Sequence, residues 1–117
     1  MCGINGIISL KGVNFETNFE KKIEQMNNSI IHRGPDDEGF YTFSNSLFQL
    51  SMAMRRLSII DLDSGQQPIS NDDGNLVIVF NGEIYNYKIL KNTLQNEGVV
   101  FNTKSDTEVI LRLYEAY

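Results

Sequence analysis

The fold begins with residues 2–10, CGINGIISL, whose side chains alternate between two parities. Apolar and small residues occupy the even positions, which are Cys2, Ile4, Gly6, Ile8 and Leu10. A period of two is typical of a strand with one buried face. We therefore predict a strand whose even-numbered side chains, including Cys2, are turned toward the core.

Composition and charge exclude several classes of function. The 117 residues are 41% hydrophobic and 21% charged, which suits one globular domain or a piece of one. A formal net charge of −5 provides no basic field for nucleic acid or anionic lipid. No apolar run reaches the roughly 20 residues of a membrane-spanning helix, and no signal-peptide pattern is present. We expect a cytoplasmic protein whose partners include neither nucleic acid nor a membrane.

A helix and a hairpin are predicted after the first strand. The helix, with Thr17 or Asn18 as its cap, has apolar residues at helical spacing: Phe19, Ile23, Met26 and Ile30. FYTF and LFQLSMAM on either side of residues 44–46 predict a hairpin. Its second strand has one apolar face, formed by Phe48, Leu50, Met52 and Met54. Arg56 joins that face if the strand continues by two residues.

The second half of the chain predicts a buried strand and two helices. LVIVF at 76–80 suits a strand covered on both faces, ending at Asn81-Gly82. A short helix with Tyr87, Leu90 and Leu94 can be capped by Asn86 and stopped by Gly98. SDTE at 105–108 has the form of a capping box for a second helix. The apolar stripe of that helix is Ile110, Leu113, Tyr114 and Tyr117. Because it includes the last residue, we expect further chain or another subunit to cover it.

Cys2 is the only cysteine, and its place in the chain permits two interpretations. A lone cysteine is usually a small buried hydrophobe. If Met1 is removed, however, Cys2 carries both a thiol and a free α-amine. Amines of this kind ordinarily titrate at about pH 7.7–8.0 and thiols at about 8.5, so the amine can take the thiol proton. Position alone leaves both interpretations open, since a single nucleophilic cysteine ordinarily has a histidine partner, and the lone His32 lies in a Pro/Gly turn.

Three further positions are candidates for a binding site. Asn81-Gly82 is a common turn pair, but its amide and backbone N–H could also form an oxyanion hole. Arg56 requires a carboxylate partner, either Asp61 or a ligand. Asp106 either stabilises a helix start or, with Glu83, holds an α-ammonium group. Together, the functional alternatives describe a free amino acid as the ligand.

Four segments resemble one family in order and spacing, over nearly the whole chain. They are MCGINGI, HRGPDDEG, RRLSIIDLDSGQQPI with FNGEIYNY, and KSDTEVIL. This ordered set is similar to the N-terminal glutamine amidotransferase domain of glutamine-hydrolysing asparagine synthetases, which has an N-terminal nucleophile. The resemblance implies that Cys2 attacks the glutamine side-chain amide and that Asn81 and Gly82 form the oxyanion hole.

The resemblance also implies how glutamine is held. Arg56 matches the contact to the α-carboxylate, with the neighbouring Leu57, Ser58, Ile59 and Ile60 beside it. Glu83 and Asp106 match the groups that hold the α-amine. Two residues depart from the pattern: Met54 stands where many relatives have His, and Lys104 where they have Gly. Met54 suits the apolar face, whereas Lys104 places a cation near the proposed ammonium pocket.

The fold implied by the resemblance is an α+β, four-layer α/β/β/α sandwich of antiparallel sheets, incomplete in this chain. Residues 1–117 would be the N-terminal part of a longer amidotransferase domain. The resemblance implies no cofactor and no metal in this chain, because ATP and magnesium belong to a separate synthetase domain. That domain, in the same longer chain or separate, would receive the ammonia. A homodimer is a further expected partner arrangement.

Two other functions compete with catalysis. The chain could be a non-catalytic glutamine-binding or assembly module whose Cys2 is capped by Met1. It could also be an inert fragment, in which case the terminal helix would expose its apolar face and the chain would associate. An intact mass separates the first alternative from an enzyme.

Overall fold

The computed structural model describes residues 2–10, 18–57 and 65–117. The backbone divides into two compact units, an N-terminal unit of residues 1–60 and a C-terminal unit of residues 61–117. The elements of the N-terminal unit are β1 (Gly3–Leu10), α1 (Phe19–Ser29), a 3-10 turn (Ile31–Arg33), β2 (Asp37–Ser44) and β3 (Phe48–Arg56). Those of the C-terminal unit are β4 (Ile69–Ser70), β5 (Val77–Ile78), α2 (Tyr87–Asn96) and α3 (Asp106–Ala116). The chain is α+β with antiparallel sheets, as predicted.

The sheet of the N-terminal unit has β3 between β1 and β2, and both pairings are antiparallel. The predicted hairpin is confirmed, because the side chain of Asn45 accepts the N–H groups of Leu47 and Phe48 and closes the turn. β3 extends to Arg56, as its apolar pattern indicates. Helix α1 packs on one face of this sheet, burying Phe19 and Ile23.

The predicted orientation of β1 is wrong. Its odd-numbered residues face α1, whereas Ile4, Ile8 and Leu10 are 47%, 60% and 60% exposed. The reason is a buried polar side chain. Asn27 of α1 is fully buried, and its side chain bonds to Asn5 on β1 and to Glu38 on β2. A buried amide requires such partners, and only the odd face of β1 supplies one. Cys2, of even parity, is half-buried rather than directed into the core.

In the C-terminal unit, α3 contacts α2, β4 and β5. Its apolar core consists of Ile69, Leu94, Val109 and Leu111. The predicted long strand is wrong: only Val77 and Ile78 pair, with β4, and residues 76–80 are half-buried rather than covered on both faces. Helix α2 begins and ends as predicted, with Asn86 at the N-cap position but without a side-chain cap bond, and Gly98 takes φ +94° after its end.

Helix α3 begins as predicted but buries a different face. Ser105 caps the helix by accepting the N–H of Thr107, but the expected capping box, in which the N–H of Glu108 would be accepted, does not form. Glu108 does not return to Ser105 and bonds instead to Asn102 and Thr103. Consequently the helix buries Glu108, Leu111 and Arg112, whereas Tyr114 and Tyr117 of the predicted stripe are exposed. The N-cap of α1 is Asn18, which makes no side-chain cap bond; Thr17 lies outside the described residues.

Candidate functional site

The end of β3 lies beside Cys2. Gly3 pairs with Arg55, so the same register continued by one residue sets Cys2 opposite Arg56. The N–H of Leu57 donates to Sγ of Cys2 at 3.5 Å. A backbone donor directed at a sulfur stabilises negative charge there. The strand ladder thus brings together three of the residues predicted for the site, Cys2, Arg56 and Leu57.

The turn between α1 and β2 contacts both Cys2 and the end of β3. Arg33 Nε donates to the carbonyl oxygen of Cys2 at 3.3 Å. Pro35 forms a bridge with Arg56, and the N–H of Asp36 donates to the Arg56 carbonyl at 3.1 Å. Gly34 permits this approach, since a Cβ there would lie 2.5 Å from backbone atoms of Arg55 and Arg56. The segment HRGPD therefore has a positional role beside Cys2, which its composition did not indicate.

The side chains of two adjacent arginines, Arg55 and Arg56, lie on opposite faces of the sheet. Arg55, not Arg56, is buried against α1, where its Nη2 lies 2.8 Å from Glu38 and its Nε donates to the carbonyl of Asn27. Arg56 is half-buried on the opposite face. A buried arginine with a carboxylate neighbour is thus present at position 55, whereas the pairing of Arg56 with Asp61 or a ligand stays a prediction. The proposed partner Asp61, and the predicted site residues Ser58, Ile59 and Ile60, lie outside the described residues, as does Met1.

In the C-terminal unit, the predicted oxyanion pair forms an exposed turn after β5. Asn81, Gly82 and Glu83 are all exposed, and they do not follow the buried strand predicted for residues 76–80. The ring of Phe80 covers Gly82, and a Cβ on Gly82 would lie 2.6 Å from Cζ of that ring. A side chain at position 82 would therefore require the Phe80 ring to shift.

Asp106 connects the start of α3 to this turn. Its Oδ2 accepts the N–H of Ile84 at 2.9 Å, so the carboxylate lies next to the residue that follows Glu83. The C-terminal unit therefore brings Asp106 together with the segment containing Asn81, Gly82 and Glu83. That Glu83 and Asp106 together hold an ammonium group stays a prediction. Cys2, Arg56 and Leu57 belong to the N-terminal unit.

Gln67 was not predicted as a site residue, yet it holds the residue before the turn. Its Oε1 accepts the N–H of Phe80 at 2.6 Å, and its Nε2 donates to the carbonyl of Phe80 at 3.1 Å. The same Nε2 lies 3.2 Å from Oγ1 of Thr107, the residue after Asp106. The signal available in the sequence is that Gln67 lies within RRLSIIDLDSGQQPI, one of the segments that carry the family resemblance.

A cluster of paired charged side chains stabilises the part of α3 that follows Asp106. Burial opposes the ionisation of Glu108, yet the pKa of Glu108 lies below its ordinary value. The causes are hydrogen bonds from the N–H groups of Asn102 and Thr103 and from the Thr103 hydroxyl, together with the nearby charge of Arg112. Arg112 bonds to Asp72 and Glu115, which raise its pKa. In return, Arg112 lowers the pKa of Asp72. These charges are paired with one another and stabilise the helix that carries Asp106.

The described residues form neither a metal-binding cluster nor a membrane-spanning helix. Within residues 2–10, 18–57 and 65–117, there is no group of three or more His, Cys, Asp or Glu that could hold a metal ion. In the same ranges, no helix is long and apolar enough to cross a membrane.

Comparison with known proteins gives one consistent result. A family model described as a glutamine amidotransferase domain matches residues 1–117. Glutamine-hydrolysing asparagine synthetase 1 of Bacillus subtilis (strain 168) is 44% identical over 117 residues, which is 100% of this chain and 18% of that protein. Asparagine synthetase 2 of the same organism is 47% identical over 98% of this chain and 15% of that protein. An Oryza sativa asparagine synthetase is 38% identical over 100% of this chain and 18% of that protein. The chain thus spans less than a fifth of the length of these relatives.

Proposed function

We propose, from the premise that the chain belongs to the glutamine amidotransferase domain family, that it hydrolyses the side-chain amide of glutamine through Cys2. The contact of the Leu57 N–H with Cys2 Sγ, next to Arg56, carries this proposal. It places a donor on the sulfur and a cation one residue away, which are what a thiolate nucleophile and a carboxylate-bearing substrate require.

The chemistry uses the two functional groups of Cys2 after loss of Met1. The α-amine takes the thiol proton, and the sulfur adds to the amide carbon of glutamine. Asn81 and Gly82 stabilise the resulting oxyanion. Collapse of the intermediate breaks the carbon–nitrogen bond, and the proton returns to the departing nitrogen as ammonia leaves. Water then hydrolyses the γ-glutamyl thioester, giving glutamate and the free thiol.

Substrate binding is assigned to charged groups at either end of the amino acid. Arg56 binds the α-carboxylate, with the backbone of residues 57–60 beside it, because a guanidinium matches a carboxylate with two parallel hydrogen bonds. Glu83 and Asp106 bind the α-ammonium. The hydrogen bond from the Ile84 N–H to Asp106 supports this assignment, because it holds the Asp106 carboxylate at the backbone directly after Glu83.

The ammonia is proposed to serve an asparagine-synthetase-type domain, because the relatives are named as glutamine-hydrolysing asparagine synthetases. That partner, in the same longer chain or in a separate one, would use ATP and magnesium, whereas glutamine hydrolysis uses no cofactor of this chain. The complete domain is proposed to be a four-layer sandwich of antiparallel sheets. A homodimer is the proposed assembly, and sizing chromatography at several concentrations tests it.

The decisive experiment measures glutamate release by three forms of the chain: the form that has lost Met1, the Cys2→Ala variant and a form with an N-terminal extension. Loss of Met1 is first established by intact mass. Cys2→Ala is expected to reduce glutamate release to the rate without protein, while the circular dichroism spectrum stays unchanged. An N-terminal extension that blocks the α-amine but leaves the thiol should have the same effect.

The outcome also decides between catalysis and the non-catalytic alternative. A chain that retains Met1 and binds glutamine without releasing glutamate would be a binding or assembly module. Release that is undiminished by Cys2→Ala would contradict the proposed mechanism. Cys2→Ser is the matched control, since it keeps a hydroxyl beside the α-amine but is a weaker nucleophile.

A further inference from the structure

We infer that Gln67 is a positioning residue for glutamine hydrolysis, acting through the Asn81–Gly82 turn; this role rests on the proposed function. Gln67 binds Phe80, the residue immediately before that turn, at both backbone polar groups. Fixing both the N–H and the carbonyl of Phe80 determines the orientation of the peptide plane on each side of that residue.

The two hydrogen bonds between Gln67 and Phe80, which we call the clamp, replace strand pairing that is missing at Phe80. β5 consists of Val77 and Ile78 alone, so the strand ladder ends before Phe80. A backbone segment outside a ladder must satisfy its polar groups elsewhere, and here a side-chain amide replaces the missing strand. At 2.6 and 3.1 Å, the two bonds are as short as ladder hydrogen bonds.

The clamp also connects the turn to the helix that carries Asp106. Nε2 of Gln67 lies 3.2 Å from Oγ1 of Thr107, which is 2% exposed. Gly65 allows the segment preceding Gln67 to approach α3, because a Cβ there would lie 3.0 Å from Cβ of Ser105. Phe80 is thereby held against the first turn of α3, and its ring in turn covers Gly82. Gln67 thus fixes the residue that precedes the proposed oxyanion donors. It also contacts Thr107, the residue next to Asp106, which is proposed to bind the α-ammonium.

Oxyanion donors act on the transition state, so a loss of their position lowers kcat more than it raises KM. The first measurement compares Gln67→Met, which has a similar shape but neither donor nor strong acceptor, with Gln66→Met. Gln66 is the adjacent, exposed glutamine and serves as the matched control. Gln67→Met is expected to lower kcat about tenfold to a hundredfold with KM within about threefold, whereas Gln66→Met leaves both unchanged. Rates are normalised to the fraction of Cys2 labelled by an electrophilic glutamine analogue, which removes the contribution of unfolded protein.

A double-mutant cycle separates positioning from a structural role. Asn81→Ala alone is expected to lower kcat by about 10²–10³. If Gln67 acts through this turn, adding Gln67→Met to Asn81→Ala lowers kcat by no more than about threefold further. A double variant whose losses multiply in full would overturn the inference, as would a Gln67→Met protein with wild-type kcat.

A second readout is independent of activity. Amide hydrogen exchange followed by NMR should show the Phe80 N–H exchanging about tenfold faster or more in Gln67→Met, with no change in Gln66→Met. Unchanged protection of Phe80 would overturn the clamp. If Gln67→Met does not fold, Gln67→Glu replaces it, because its carboxylate accepts the Phe80 N–H but donates nothing; the same loss of kcat is expected. A wild-type chain that releases no glutamate would contradict the proposed function alone, and the exchange measurement would still test the clamp.

Discussion

The two units hold their candidate site residues by different means. In the N-terminal unit, Cys2 and Arg56 are placed by the backbone register of β1 and β3. In the C-terminal unit, the segment around Asn81 is held by side chains, with Gln67 on Phe80 and Asp106 on Ile84. A ladder uses groups that every residue has, whereas a side-chain clamp depends on one residue type.

This difference determines where each unit is vulnerable. Side-chain substitutions along a strand leave its register intact, so the N-terminal unit is most sensitive where two backbones touch. The C-terminal unit is most sensitive at polar side chains that satisfy buried or constrained backbone groups. Three substitutions test the comparison, taken in order of decreasing effect.

Gly34→Ala should give the largest loss, in the N-terminal unit. The new Cβ would lie 2.5 Å from backbone atoms of Arg55 and Arg56, which are not free to rotate away. We expect the free energy of unfolding to fall by about 3 kcal/mol, the upper end of overpacking effects. Urea unfolding followed by circular dichroism measures this loss.

Gly6→Ala is the control for that substitution. A Cβ at Gly6 would lie 3.4 Å from the Ser51 carbonyl oxygen, at ordinary contact distance, so the free energy of unfolding should change by less than about 1 kcal/mol. Equal losses for the two glycines would show that close backbone approach at Gly34 does not limit stability.

Glu108→Gln should give the next largest loss, in the C-terminal unit. The carboxylate accepts the N–H groups of Asn102 and Thr103 and lies 3.3 Å from Arg112. Replacing it weakens charge-assisted hydrogen bonds, and we expect a loss of about 2 kcal/mol at pH 7. Glu115→Gln is the matched control, since Glu115 bonds the same arginine but is more exposed, and its loss should be below about 1 kcal/mol.

The effect of Glu108 should depend on pH in a defined direction. The folded pKa lies below the ordinary value of 4.5, so the unfolded chain takes up the proton more readily. The stabilisation is therefore complete well above pH 4.5 and is lost as the pH falls through the folded pKa. The difference between wild type and Glu108→Gln should shrink on acidification, and a difference that grows would contradict this assignment.

Lys104→Gln should give the smallest effect and tests the proposed ammonium site. The exposed Lys104 lies two residues before Asp106, and removing its charge reduces repulsion of the glutamine α-ammonium. An interaction of about 1 kcal/mol or less in water corresponds to a decrease in KM of up to about fivefold. Lys88→Gln, an exposed lysine on α2, controls for net charge. An unchanged or increased KM for Lys104→Gln would argue against an ammonium site at Asp106.

Local elements were predictable because their signals are local. The hairpin at residues 44–46, the start of α3 at Ser105 and the stop of α2 at Gly98 depend on a few neighbouring residues. The orientation of β1 was not predictable from alternation alone. Alternation shows that two faces differ, but the face that packs on α1 was decided by Asn27, whose buried amide needs polar partners.

The candidate site divides in the same way. The order of motifs points to Cys2, Arg56, Asn81 and Asp106 without any structure. The supporting residues Gln67 and Arg33 became visible only through their contacts, because a glutamine or arginine in a turn has many ordinary uses.

The sequence by itself determined the family, the α+β class and the residue types available for chemistry, since these depend on motif order and local periodicity. Tertiary structure alone decided that Arg55 rather than Arg56 is buried, that α3 buries Glu108 and Arg112, and that Gln67 holds Phe80. The physical reason is that a buried polar group is stable only with a partner. Arg55 finds its partner in Glu38 of β2, Arg112 in Asp72 before β5, and Gln67 in Phe80, and none of these pairs is visible in a local pattern.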